Sequence, residues 1–113
     1  MKHEIAKISK IVDELIDFYF LNSAKKVNIS IEENKDSFII EIESDDVSCS
    51  EDKIMNFKKL INVQRQKEIE EYYWQLAGTS IEGEEYNLVG MMIDESIIDY
   101  DYPKLKIKLI RKK

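Results

Sequence analysis

Chemistry in this chain would have to come from few reactive side chains, since it has one histidine, His3, and one cysteine, Cys49. An imidazole near a helix start can take a proton or a phosphoryl group, but a lone histidine there is more ordinarily an exposed surface residue. A thiol nucleophile needs a base positioned beside it, and the one histidine is far away in sequence. Cys49 therefore reads as a small, half-buried residue, and the pair lacks the ligand spacing of a metal site. Carboxylates are more plentiful. Asp45, Asp46, Glu51 and Asp52 cluster closely enough to offer oxygen ligands to a divalent ion. The same residue types, between a strand and a helix, also serve as turn and capping residues, and that reading is preferred. The segment EIEEYYWQLAGTSIEGEEY places Tyr72, Tyr73, Trp74 and Tyr86 among carboxylates. Such a surface suits recognition of a protein, with Tyr73 and Trp74 as its candidate contacts. At helical spacing, Tyr72, Tyr73 and Leu76 equally suit a core, as do Met91 and Met92 beside Leu88 and Val89.

Composition narrows the function classes. A length of 113 residues fits one domain, and 43% hydrophobic with 35% charged residues gives it a core and a wet surface. The net charge of −6 argues against nucleic acid and anionic membranes as partners, because both need an accumulated positive field. Three glycines and one proline leave little material for a phosphate-cradling loop or a proline-rich ligand. No apolar run approaches the roughly 20 residues of a membrane span, and the opening MKHEIAKISKIV lacks a signal-peptide core. A cytoplasmic location is expected. The abundance of Ile, Lys, Glu, Asn and Tyr resembles that of proteins from AT-rich bacterial genomes. Charge falls in blocks, with residues 36–52 and 68–102 free of Lys and Arg, and basic stretches at 53–67 and 104–113. Blocks of this kind are expected to form neighbouring faces of one solvated domain.

The elements that must position these groups follow from periodicity. From His3 to Ser23, apolar residues at Ile5, Ile8, Val12, Leu15 and Tyr19, widened by Ile11, Ile16 and Phe20, predict an amphipathic helix. Val27, Ile29 and Ile31 then alternate with polar residues as a half-buried strand. Residues 33–36 make a turn into a second alternation at Phe38, Ile40 and Ile42, so a hairpin is predicted. Ser50 is placed to cap a helix that buries Ile54, Phe57, Leu60 and Ile61, with a helical pattern resuming through Ile69 and Leu76. Gly78, Gly83 and Gly90 mark a mobile window; residues 88–93 suggest a short buried helix, and Ile97 with Ile98 a strand. In KLKIKLIRK, Lys104, Lys106 and Lys108 alternate with Leu105, Ile107 and Leu109, a strand with one wet cationic face. The expected class is α+β: a two-layer sandwich with helices on one face of a mostly antiparallel mixed sheet.

This order, and some local wording, resembles the ATP-binding domain of histidine kinases, gyrase and their relatives, the GHKL superfamily. The stretch IVDELIDFYFLNSAKKVNISIEENKDSFIIEIES is similar to that family's N-box helix and following hairpin. Ser44, Asp45 and Asp46 fall where the family has its first glycine box, EYNLVGMMIDES resembles the second, and KLKIKLIRK resembles the last strand. The resemblance implies ATP and magnesium, with Asp45 or Asp46 on the adenine amino group and Asp17 on the metal. The departures weigh against that. The N-box asparagine is replaced by Asp17 or Phe18, and Val47 and Cys49 stand where the family has glycines beside the nucleotide. Glu85 and Asn87 stand for glycines that would meet phosphate. His3 with Glu4 also resembles a histidine-kinase phosphoacceptor box, but the chain lacks the second long helix of the dimerising hairpin.

The expected function is therefore a regulatory, protein-interaction domain of histidine-kinase ATPase-like fold with degenerate nucleotide motifs, no cofactor, no metal and no catalytic residue. Its partner would be a protein of unknown identity. One alternative retains ATP and magnesium binding at Asp17, Asp45 and Asp46. Another is an unrelated α+β domain that forms a homodimer or higher homo-oligomer through its aromatic helix or its cationic last strand.

Overall fold

The computed structural model describes residues 3–73 and 84–113. Among these, the elements run α1 (Glu4–Leu21), β1 (Asn28–Glu33), β2 (Ser37–Ser44), α2 (Glu51–Ile61), α3 (Lys67–Tyr73), α4 (Glu84–Met91), β3 (Glu95–Asp101) and β4 (Lys104–Lys112). The strands form one sheet in the order β1-β2-β4-β3, with every pair antiparallel. Two hairpins are thus joined through β2 and β4. The two-layer α+β architecture expected from periodicity is present, and the sheet is antiparallel throughout rather than mixed.

Strand alternation divides the sheet into a dry and a wet face. Ile40 pairs with Leu109 and Ile42 with Ile107, and all four are buried under the helices. Ile8, Ile11, Leu15 and Tyr19 of α1, Ile54, Phe57 and Ile61 of α2, and Val89, Met92 and Ile93 complete the core. Helices α1 and α2 pack on this face, and α4 joins the same core through Val89 while packing on α1, α2 and α3. On the other face Glu41 and Glu43 of β2 stand opposite Lys108 and Lys106 of β4, which in turn face Ile97 and Asp99 of β3. The charge blocks of the sequence are thereby interleaved, acidic strand against basic strand, and Lys106 Nζ reaches Glu41 Oε2 at 3.7 Å. Like charges would have repelled across these positions.

Local chemistry sets the boundaries. Helix α1 stops where Asn22 Nδ2 donates to the Phe18 carbonyl at 2.7 Å and Ser23 turns to φ 78°, letting the Ala24 amide bond back to the Tyr19 carbonyl at 3.1 Å. Tyr19, fully buried, holds its hydroxyl 2.8 Å from the Ile42 carbonyl and 3.0 Å from the Leu105 carbonyl, tying α1 to β2 and β4. Ser50 Oγ caps α2 by accepting the Lys53 amide at 3.1 Å, with Glu51 and Asp52 in the first turn and Lys58 and Lys59 in the last. The buried helix expected over residues 88–93 instead spans Glu84–Met91. The chain leaves it so that the Asp94 amide can bond the Ile110 carbonyl at 2.8 Å and start β3.

Two expectations need correction. The buried stripe of α1 is rotated: Lys7, Glu14 and Phe18 are inside, whereas Ile5 and Phe20 are exposed. The ion pairs made by Lys7, described below, draw that flank inward. Strand β1 is exposed along its whole length, because none of the described helices packs on it beyond β2.

Gly90 illustrates how tightly the helices meet. A Cβ at this position would lie 2.5 Å from the Ile61 carbonyl oxygen and 2.8 Å from Val63 Cγ2. Only a residue without a side chain lets α4 approach the end of α2 so closely. Gly90→Ala is expected to lower stability by about 1–3 kcal/mol in urea unfolding followed by circular dichroism. An unchanged midpoint would contradict this contact.

Candidate functional site

The region that the GHKL resemblance assigns to nucleotide comprises Asp17 or Phe18 of α1, the turn after β2 with Ser44, Asp45 and Asp46, and Glu85 and Asn87 of α4. Its backbone is already engaged. The Asp46 amide donates to Ser44 Oγ at 3.4 Å, the Val47 amide to the Pro103 carbonyl at 2.7 Å and the Ser48 amide to the Asn22 carbonyl at 2.9 Å. The Cys49 amide donates to the Tyr100 hydroxyl at 3.2 Å, and that hydroxyl donates to the Val47 carbonyl at 3.1 Å. Three consecutive amides, of Val47, Ser48 and Cys49, thus bind the β3–β4 turn, the C-cap of α1 and β3, while that of Asp46 closes a local turn onto the end of β2. The Val47 side chain is fully buried in the core. In this segment the β-branched side chain fills space that a glycine would leave open, and the amides point at protein acceptors.

The interhelical space is filled as well. Phe18 of α1 stacks on Phe57 of α2 with ring centroids 3.9 Å apart, and Tyr86 of α4 closes on both edge-to-face at 5.8 and 5.2 Å. These contacts bind three helices through their aromatic rings.

The expected site residues do not converge on a pocket. Asp17 is exposed on α1, and Asp45 and Asp46 are exposed beyond β2. Asp45 lines a cleft of about 250 Å³ with Glu43, Asp99, Asp101, Lys104 and Lys106, most of them on the wet face of the sheet, away from the helices. Four carboxylates against two lysines make this a poor cradle for a polyphosphate. Among the described residues no group of three His, Cys, Asp or Glu side chains is placed to hold a metal ion. His3 is exposed just ahead of α1, and its carbonyl accepts the Lys7 amide at 2.9 Å. Cys49 is half-buried; burial pushes its thiol up against the opposing influence of Tyr100 and Lys53, which leaves it without the activation a nucleophile needs. The surface expected from the side chains of Tyr73 and Trp74 lies outside the described residues, as do Gly78 and Gly83.

Sequence reasoning missed the strongest electrostatic feature, a buried ionic cluster beneath α1. Arg111 of β4 is 1% exposed, and all five of its N–H groups are used. Nε and Nη2 clamp Glu4 at 3.0 and 2.8 Å; Nη1 and Nη2 clamp Glu70 at 2.9 and 2.8 Å; Nη1 also donates to the Met92 carbonyl at 2.6 Å. Buried Lys7 donates to Glu70 Oε2 at 2.8 Å and to Glu71. Arg65 reaches Glu70 Oε1 at 3.2 Å and Asp94 Oδ2 at 2.7 Å, and Asp94 accepts the Lys112 amide at 2.6 Å. Glu70 therefore meets three cations. The register carries a signal for Arg111, which continues the buried phase Leu105, Ile107, Leu109; Lys7 lies off the apolar stripe legible in α1, and its burial follows from its partners.

Burial alone would raise the Glu70 pKa, but hydrogen bonds from Arg111 and Lys7, with the field of Arg65, hold it down to about 2. The Arg111 hydrogen bond likewise lowers Glu4. Burial works against the charge on Lys7 and Arg111, yet the facing carboxylates keep both pKa values above their usual range. The cluster is a structural clasp, since every member is spent on another.

No protein-family model matches the chain, and neither a curated protein nor a solved structure is found similar to it.

The pH dependence of stability follows from the depressed carboxylate. Glu70 contributes stability that is fully present above its ordinary value of 4.5 and is lost as pH falls toward about 2. The loss is on the order of 3 kcal/mol. Acid titration of urea stability should show this fall, and Glu70→Gln should flatten it while lowering stability at neutral pH. An acid limb of equal depth in the variant would contradict the assignment.

Proposed function

We propose that this chain is a non-catalytic regulatory domain that acts by binding protein, built on a histidine-kinase ATPase-like scaffold whose nucleotide site is closed by its own residues. The supporting layout is a first helix, a hairpin, a turn bearing Asp45 and Asp46, a later helix on the same sheet face as the first, and a closing hairpin. The observation that carries the reading is the commitment of the amides of Asp46, Val47, Ser48 and Cys49 to protein acceptors, with Val47 buried beneath them. A nucleotide entering there would have to break several of these bonds and expel an apolar side chain. Each buried donor left unpaired costs about 1–3 kcal/mol. Exposed Asp17, Asp45 and Asp46 make no compensating metal site among the described residues. A cytoplasmic setting accords with this role, in which a single Cys49 forms no intramolecular disulfide.

Thermal unfolding with millimolar ATP and magnesium tests the closed site. A ligand present at 100 times its Kd adds about 2.7 kcal/mol, enough to move the midpoint by several degrees. No shift and no heat in calorimetry are expected. A shift abolished by Asp46→Asn, with the unliganded variant still folded, would instead establish the ATP-binding alternative. As bait in extract of its native host, the chain should retain a specific protein, and recovery of none would contradict the binding role.

A further inference from the structure

Strand β1 is the least covered of the described strands. All six of its residues are exposed, including Ile29 at 39% and Ile31 at 51%. Both isoleucines stand on the helix side of the sheet, since they pair with buried Ile42 and Ile40. Helix α1 adds to this surface. Its Lys7 and Phe18 meet Glu70 of α3, Phe57 of α2 and Tyr86 of α4, which turns Val12, Ile16 and Phe20, spaced four apart, to the opposite flank. Because α1 packs on β2 and α2 packs on β3, that flank looks toward β1. An apolar strip therefore borders an open sheet edge.

The edge itself is ready to pair. Asn34 donates to the Ser37 carbonyl at 2.8 Å and closes the hairpin. Alternation along the antiparallel ladder then aims the amides and carbonyls of Ile29, Ile31 and Glu33 outward. The other edge strand, β3, carries Glu95, Asp99 and Asp101, so a second β3 would meet like charge. Residues 25–33, KKVNISIEE, have the reverse property: they are basic at one end, acidic at the other and apolar at alternate positions between.

We propose that a second copy of this chain adds at β1, antiparallel and about a two-fold axis at Ile29, joining two four-stranded sheets into one. In that register Lys26 faces Glu32, Lys25 faces Glu33, Val27 faces Ile31 and Ile29 faces its own copy. Neighbouring registers lose this match. Centring on Ser30 sets Lys25 against Lys35 and Val27 against Glu33, and centring on Ile31 sets Ile29 against Glu33. Glu33 already accepts Lys113 of its own chain at 2.7 Å, so the pair of Lys26 with Glu32 sets the selectivity. The two-fold operation brings the flanks of both α1 helices over the paired isoleucines, covering the strip that a lone chain exposes. This pairing is independent of whether the domain binds nucleotide.

The test is the oligomeric state of the intact chain by sedimentation equilibrium and native mass spectrometry, with circular dichroism as the check on folding. The wild type is expected to be a dimer. Glu32→Lys and Lys26→Glu, each at an exposed position, should separately weaken it roughly tenfold or more by setting like charges opposite. Mixing the two variants should restore a heterodimer, and the double variant Lys26→Glu with Glu32→Lys should restore a homodimer, because both arrangements again pair opposite charges. A wild type that stays monomeric up to about 1 mM, a dimer indifferent to either single change, or single variants that do not recover on mixing would each overturn the proposal.

Discussion

A guanidinium shut away from water must be neutralised and hydrogen-bonded on every side, and meeting that requirement at Arg111 fixes the relative positions of most of the fold. Its carboxylate partners come from α1 through Glu4 and from α3 through Glu70, and its carbonyl partner, Met92, lies at the exit of α4. Arg65, between α2 and α3, joins through Glu70, and Asp94, ahead of β3, joins through Arg65. Segments distant in sequence are held in one arrangement by charge-assisted bonds whose breakage would leave an uncompensated ion in a dry interior. The cluster has further consequences. It turns α1 so that Lys7 and Phe18 point inward, which brings Phe18 onto Phe57 and leaves Ile16 and Phe20 on the outer flank.

That rotation links the closed interior to the open edge. Inside, Phe18, Phe57 and Tyr86 fill the space among the helices, and the turn after β2 spends its amides on Asn22, Tyr100 and Pro103. Even Gly90, from a stretch that resembles a phosphate-binding word, serves the approach of α4 to Ile61. Outside, the displaced apolar residues of α1 lie beside an edge strand with self-complementary charge. The described part of the fold thus fills the space among its helices and leaves an exposed edge strand, the two features on which the proposed binding role rests.

Much of this organisation was legible from the residues. Alternation at Val27 to Ile31, Phe38 to Ile42 and Lys104 to Leu109 gave the strands, and Ser50 with Glu51 and Asp52 gave the start of α2. Each is a local signal, decided within a few residues. What could not be read was set by distant partners. Ile29 and Ile31 look as apolar as Ile40 and Ile42, and only strand order shows that β1 is an uncovered edge. Likewise Arg111 sat in the buried phase of its strand, but a buried arginine is credible only once Glu4 and Glu70 are known to meet it. Asp17, Asp45 and Asp46 are candidates by resemblance, which supplies position along the chain and nothing about whether side chains converge. Their exposure is a tertiary outcome.

The turn after β2 spends its amides on the protein's own acceptors, and the proposed function requires that no ligand displace them. Amide hydrogen exchange at Asp46, Val47, Ser48 and Cys49, read by NMR with and without millimolar ATP and magnesium, tests it most directly. Val47, Ser48 and Cys49 are expected to be already protected in the free protein, with exchange and chemical shifts that do not change with nucleotide. Fast exchange in the free protein that slows when nucleotide is added would contradict it, because those amides would then be waiting for a ligand.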